Sequence, residues 1–108
     1  DRSAGFDARA PYDLPVRYVE GREKLDLSTP VNFVCTCDTI GGNSGSPVIN
    51  RDAEIVGVIF DGNIESLVGN YVYNEENNRS VAVHTGAVTE ALRKLYGAAA
   101  LADELEIR

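Results

Sequence analysis

The chain has no methionine and no tryptophan, a single histidine, His84, and only two cysteines, Cys35 and Cys37. Each shortage excludes something. One imidazole and two thiols are too few ligands for a structural metal site, so no metal is expected, and no motif asks for a cofactor. Cys35 and Cys37 are one residue apart, point to the same side of an extended segment, and could be bridged only with strain; they read as small buried hydrophobes. Basic residues are also in deficit. Ten Lys and Arg face seventeen Asp and Glu, a net charge of −7, which argues against nucleic acid and anionic membranes as partners. No apolar run approaches the roughly 18 residues of a membrane span; Val81–Val83 and Ala98–Ala102 are far shorter. The start, Asp1-Arg2-Ser3-Ala4, is not a signal peptide, and the chain is expected to be a processed or excised part of a longer protein.

The 108 residues amount to one ordinary domain, with 44% hydrophobic and 25% charged residues, the balance of a globular protein. Residues 1–24, with Gly5, Pro11, Pro15 and Gly21, read as a connecting arm with a short helical turn around Val16–Arg22. Residues 25–84 are β-rich. Strands are expected at Val31–Thr36, Pro47–Asn50, Glu54–Phe60, Tyr71–Tyr73 and Ser80–Val83, with Arg51-Asp52-Ala53 as a hairpin turn. Residues 85–108 read as helical. Thr85 is placed to cap a helix carrying Val88, Ala91, Leu92, Leu95 and Tyr96 at helical spacing. Glu90 and Lys94 pair on its outer face and Gly97 ends it, with a second piece at Leu101–Leu105. Five short strands and a C-terminal helix predict a mainly β fold, a small barrel or half of a larger one.

The chemistry-bearing segment is Thr39-Ile40-Gly41-Gly42-Asn43-Ser44-Gly45-Ser46-Pro47-Val48. Three glycines within five positions demand a tight turn or a close backbone approach. A serine at the centre of such a loop faces outward, and neighbouring N–H groups can converge where negative charge develops. A plain glycine-rich turn remains the alternative reading on pattern alone. A phosphate loop does not, because the spacing and the required helix are missing.

Gly42-Asn43-Ser44-Gly45-Ser46-Pro47, followed by an apolar strand, a turn and Ile55-Val56-Gly57-Val58-Ile59, resembles the active-serine segment of chymotrypsin-like peptidases. More closely, Thr29-Pro30-Val31-Asn32-Phe33, the Gly41–Asn50 run and Phe60-Asp61-Gly62-Asn63 resemble the bacterial dipeptidyl-peptidase 7 and 11 family over roughly residues 25–105. The resemblance implies the second β-barrel half of a chymotrypsin-like peptidase domain, with Ser44 as nucleophile and the N–H groups of Gly42 and Ser44 as oxyanion hole. It implies a peptide substrate cut to release N-terminal dipeptides, in the periplasm or at the cell surface. The partners it implies are a first barrel carrying the catalytic His and Asp and a helical cap domain of the same protein; it leaves a homodimer open. His84 follows the serine, the wrong order for the triad, and reads as a surface or capping residue.

The same resemblance makes Val58–Gly62, with Phe60 and Asp61, the substrate-pairing strand. Gly62 falls at the specificity wall, where glycine goes with bulky apolar side chains and arginine with Asp or Glu. Asp38, six residues before Ser44, has two readings: the base of a pocket for Lys or Arg, as in trypsin-like enzymes, or a cap on the loop. Asn43 stands where trypsin-like zymogens carry Asp and is expected to bond locally, while Ser46 is assigned no role. Glu65, Glu75, Glu76, Asp103, Glu104 and Glu106 read as solvated. Two other readings stay open: a periplasmic trypsin-like endopeptidase, and a non-catalytic structural or binding module.

Overall fold

The computed structural model of the chain describes residue 10 and residues 13–106. Gly5 and Pro11 of the expected arm therefore lie outside the described residues. The chain divides into two compact units, one of residues 28–89 and the other joining the segment up to Leu27 with the segment from Glu90 onward.

The first unit is built on a four-stranded antiparallel sheet of order β1-β4-β3-β2, from β1 (Asn32–Cys35), β2 (Pro47–Ile49), β3 (Ile55–Gly62) and β4 (Ser80–His84). Directly opposed residues share a face. Phe33 opposes Ala82, Ile59 opposes Ala82 and Gly57 opposes His84, so these residues line one face, which holds the buried Gly57, Ile59, Ser80 and Ala82. The other face is valine-rich: Val34 opposes Val81 and Val58 opposes Val83. Gly57 lets the Phe33 ring cross the sheet, since a Cβ there would come within 2.5 Å of Phe33 Cε1 and 2.7 Å of the Val83 carbonyl.

The register of β3 breaks once. Ile59 opposes Ala82 and Asp61 opposes Val81, leaving Phe60 as the extra residue of a bulge. Without it Gly62 would fall on the opposite face; with it, Gly62 opposes Ser80 and returns to the face of Ile59. The β2–β3 turn is held by Asn50, whose Oδ1 accepts the N–H groups of Asp52 at 2.9 Å and Glu54 at 3.0 Å.

Three expectations are corrected. Tyr71–Tyr73 is not a strand: α1 (Val16–Gly21) lies far upstream, but a second short helix, α2 (Ser66–Gly69), occupies the excursion after β3, and Tyr71 beyond it is 91% exposed. An apolar triplet with no partner strand and no face to bury gains nothing from extension. Thr85 does not cap the following helix, α3 (Thr85–Lys94). β4 runs straight into α3, so Thr85 is already helical and its Oγ1 donates to the Val56 carbonyl at 3.3 Å. His84 caps instead, its Nδ1 accepting the Gly86 N–H at 2.9 Å. The cysteines are not a buried pair either. Cys35 ends an edge strand half-buried, and Cys37 lies exposed in the loop beyond. The Cys35 thiol beside Cys37 and partial burial hold the Cys37 thiol above its ordinary value.

In the second unit α1 continues into a 3-10 turn, Arg22–Lys24. Gly21 leaves space for the Leu95 side chain, Tyr18 and Tyr96 join hydroxyls at 3.3 Å, and Arg17 stacks over the Tyr96 ring at 4.7 Å. Glu90 accepts the Asp26 N–H at 2.7 Å and pairs with Lys94 at 2.6 Å. Gly97, at φ +62, ends that helical stretch, and α4 (Ala99–Glu106) follows. Asp103 and Glu106, exposed as expected, both reach Arg93, at 2.7 and 3.0 Å. None of the described helices is long and apolar enough to cross a membrane.

Candidate active site around Ser44

The loop from β1 to β2 is pinned at several points. Tyr73 donates its hydroxyl to the Thr36 carbonyl at 2.5 Å. The buried Ser80 donates to the Cys37 carbonyl at 2.8 Å, so its oxygen accepts from Thr39 Oγ1 at 2.6 Å. Asn43 bonds locally, its Oδ1 accepting the Ile40 N–H at 2.8 Å while its own N–H returns to the Ile40 carbonyl at 3.2 Å. Gly42 and Gly45 take φ values of +100 and +92, which side chains with a Cβ rarely adopt, so both turns need glycine.

These bonds leave a specific pattern of spent and unspent donors. The Asn43 N–H goes to Ile40, the Gly45 N–H to the Ile59 carbonyl at 2.7 Å, and the Ser46 N–H to the Asn43 carbonyl at 3.0 Å. Among the described residues, the N–H groups of Gly42 and Ser44 donate to no one. The Ser44 side chain is exposed and likewise makes no hydrogen bond within the described residues.

Ser44 lines a groove of about 560 Å³, within the size range of ligand sites. Ile40, Phe60, Ile64 and Leu67 give it apolar surface; Thr39, Asn63, Ser66 and Asn70 are its neutral polar groups; Gly62 sits at the end of β3. Among the described residues Asp61 is the one ionisable residue on the lining, and its Oδ1 is turned back to accept the Gly62 N–H at 2.8 Å. Asp38 is elsewhere. It is exposed and borders a separate small crevice with Tyr73, Asn78 and Arg79, and the capping of the loop falls to Asn43. His84, with one nitrogen occupied at the start of α3 and its ring edge-on to Phe33 at 5.8 Å, is not on the groove.

The structure therefore brings Ser44, Phe60, Asp61 and Gly62 to one groove and leaves Asp38 outside it. Sequence reasoning missed the excursion of residues 63–79 that supplies Ile64, Ser66, Leu67 and Asn70. Its signal was five asparagines, at positions 63, 70, 74, 77 and 78, a residue type that bonds to nearby backbone in turns.

The chain is similar to known proteins. A dipeptidyl-peptidase 7 from Capnocytophaga gingivalis is 35% identical over 106 residues, covering 91% of this chain and 15% of the relative. An Asp/Glu-specific dipeptidyl-peptidase from Porphyromonas endodontalis is 40% identical over 81 residues, covering 75% of this chain and 11% of the relative. The crystal structure of Porphyromonas endodontalis DPP11 in complex with the dipeptide Arg-Asp superposes with a TM-score of 0.79 at 30% identity, over 90% of this chain and 15% of that one. The chain thus spans 11–15% of the length of these relatives. The sequence profile of the peptidase S46 family matches residues 3–107, and the chain belongs to that family.

Proposed function

We propose that this chain is the nucleophile-bearing part of a serine dipeptidyl-peptidase, the second half of a chymotrypsin-like domain, acting on peptides in the periplasm or at the cell surface. Ser44 Oγ attacks the carbonyl carbon of the peptide's second residue. Its proton passes to a histidine, oriented by an aspartate, from the part of the protein outside this chain. The N–H groups of Gly42 and Ser44 hold the oxyanion as the tetrahedral intermediate forms. The intermediate collapses to an acyl-enzyme as the histidine hands its proton to the leaving amine. Water, deprotonated by the same histidine, then frees the dipeptide and restores Ser44. A helical cap domain of the same protein completes the cleft and holds the substrate's amino terminus.

The observation that carries this reading is the donor pattern of the loop. Every N–H from Asn43 to Ser46 is spent within the loop or on β3 except the one on Ser44, and Gly42 is unspent too. Two preorganised donors flanking an exposed hydroxyl are what stabilisation of a developing oxyanion requires, and each such donor is typically worth about 3 kcal/mol of barrier.

The groove supports a neutral, apolar side chain before the cut. Its lining offers Ile40, Phe60, Ile64 and Leu67, and among the described residues no Lys or Arg that could pair with Asp or Glu. Gly62 adds no charge to the wall, and Asp38, off the groove, gives no support to a preference for Lys or Arg.

The test is hydrolysis by the full-length protein of dipeptidyl substrates ending in Leu, Phe, Lys and Asp. Leu and Phe should be cut fastest, and Ser44→Ala should abolish turnover of all four. The 108-residue chain alone should cut none, because a serine without its base is a weak nucleophile. Turnover that survives Ser44→Ala would contradict the proposal.

A further inference from the structure

We infer that Asn63 is a positioning residue for substrate selection: its carboxamide holds the excursion of residues 64–79 as the far wall of the groove, and so sets which side chain fits opposite Ser44. This rests on the reading of Ser44 as nucleophile. The argument begins with what does not hold the excursion. Its large apolar side chains are turned outward, with Ile64 77%, Leu67 64% and Tyr71 91% exposed, so apolar burial contributes little to its shape. Polar bonds must do it.

Asn63 makes more of those bonds than any other residue of the excursion, and at both ends. Its Oδ1 accepts the Ser66 N–H at 3.1 Å, where the excursion leaves β3, and the Arg79 N–H at 3.0 Å, where it returns to β4. Its Nδ2 donates to the Asn77 carbonyl at 2.7 Å. Its backbone adds an N–H to the Arg79 carbonyl at 2.9 Å and a carbonyl that accepts the Ser66 hydroxyl at 2.6 Å and shares the Ser66 N–H with the carboxamide, at 3.0 Å. The side chain thus satisfies three of the four bonds a carboxamide can make, and all three close the same loop. Ser66 and Leu67, placed by the first of them, stand on the groove.

A residue acting in this way changes how well substrate is held and discriminated more than it changes the nucleophile. A displaced wall costs binding and selectivity, whereas the bonds that fasten the serine loop do not involve Asn63. Asn63→Ala strips three partners at once. Asn63→Asp keeps the two accepting bonds and replaces the donor to Asn77 by an oxygen that repels its carbonyl.

The experiment compares full-length wild type, Asn63→Ala and Asn63→Asp on dipeptidyl substrates ending in Leu, Phe and Ala, and in labelling of Ser44 by a small fluorophosphonate. Asn63→Ala should raise KM for the Leu substrate by about tenfold or more and flatten the Leu-to-Ala preference, with labelling slowed by less than about threefold. Asn63→Asp should fall between wild type and Asn63→Ala in both KM and preference. If Asn63→Ala does not fold, Asn63→Asp decides alone, a KM rise of about threefold with altered preference being the expected result. A labelled wild type whose variants keep its KM and preference would overturn this inference and leave the nucleophile standing. Equal losses in labelling and in kcat, with KM unmoved, would overturn it too, since they would mark a purely structural role. A wild type that the probe does not label would overturn the nucleophile reading and this inference with it.

Discussion

Gly45 donates its N–H to the carbonyl of Ile59 at 2.7 Å, and the Ile59 N–H answers with a 2.9 Å bond to Ser46. The residue next to Ser44 is thereby stitched to the strand that ends, three positions later, at Gly62. The candidate nucleophile and the candidate specificity wall share one hydrogen-bonded backbone, which fixes their separation to within the give of a β-ladder. A bulge at Phe60 then sets the face on which Gly62 appears.

Asn43 should matter through its acceptor. Asn43→Ala leaves the Ile40 N–H without its 2.8 Å partner and frees the turn that aims the Gly42 and Ser44 donors. The expected cost is about 1 kcal/mol of stability and about a tenfold slower fluorophosphonate labelling, while Asn43→Asp, which keeps an acceptor, should label nearly as wild type. Equal labelling of all three proteins would show that the loop does not depend on this bond.

Gly57→Ala should destabilise the sheet unit without touching the groove. The added methyl would press on the Phe33 ring and the Val83 carbonyl, and overpacking of this kind costs about 1–3 kcal/mol. A lowered unfolding midpoint should be partly restored by Phe33→Leu, which shortens the obstructing side chain. An unchanged midpoint for Gly57→Ala alone would contradict the packing described for this face.

Much of this arrangement was legible in the chain. The glycines at positions 42 and 45 announced positive φ, the apolar runs around Arg51-Asp52-Ala53 announced a hairpin, and the spacing of Val88, Ala91, Leu92 and Leu95 announced α3. What escaped depends on partners distant in sequence or on exact junctions. Tyr71–Tyr73 has strand composition, but no neighbouring strand is available to it, so composition misleads. His84 caps α3 only because β4 and α3 abut with no linker, a junction one residue finer than periodicity resolves. Cys37 is exposed because β1 stops at Cys35 on the edge of the sheet. Asn63 looks like any turn asparagine until Arg79 and Asn77 are brought beside it.

Gly62→Arg should move selection toward Asp and Glu by adding a cation to a groove that has none among its described lining residues. A Cβ at Gly62 would lie 2.5 Å from Ser66 Oγ, so the single variant has to displace Ser66 from its bond to the Asn63 carbonyl. Gly62→Arg with Ser66→Gly should therefore cut Asp-ending substrates more efficiently than Gly62→Arg alone. A single variant that matches or exceeds the double would mean that Ser66 does not crowd the site.

Glu90 gives the second unit a defined acid sensitivity. The ammonium of Lys94 and then the Asp26 N–H hold its carboxyl below the usual range. A depressed folded-state value means that its contribution is complete above the ordinary carboxylate range and is lost as pH falls through and below it. The difference in unfolding midpoint between wild type and Glu90→Gln should accordingly be present near neutral pH and shrink steadily as pH falls below the ordinary carboxylate range. A difference that grows on acidification would reverse the sign of the interaction.

The most direct measurement is the mapped site of covalent labelling. Full-length protein treated with a fluorophosphonate, digested and sequenced by mass spectrometry should carry the adduct on Ser44, in the peptide containing Gly42-Asn43-Ser44-Gly45, and Ser44→Ala should carry none while keeping the wild-type unfolding midpoint. An adduct on Ser46 or on any other serine, or labelling that persists in Ser44→Ala, would contradict the account.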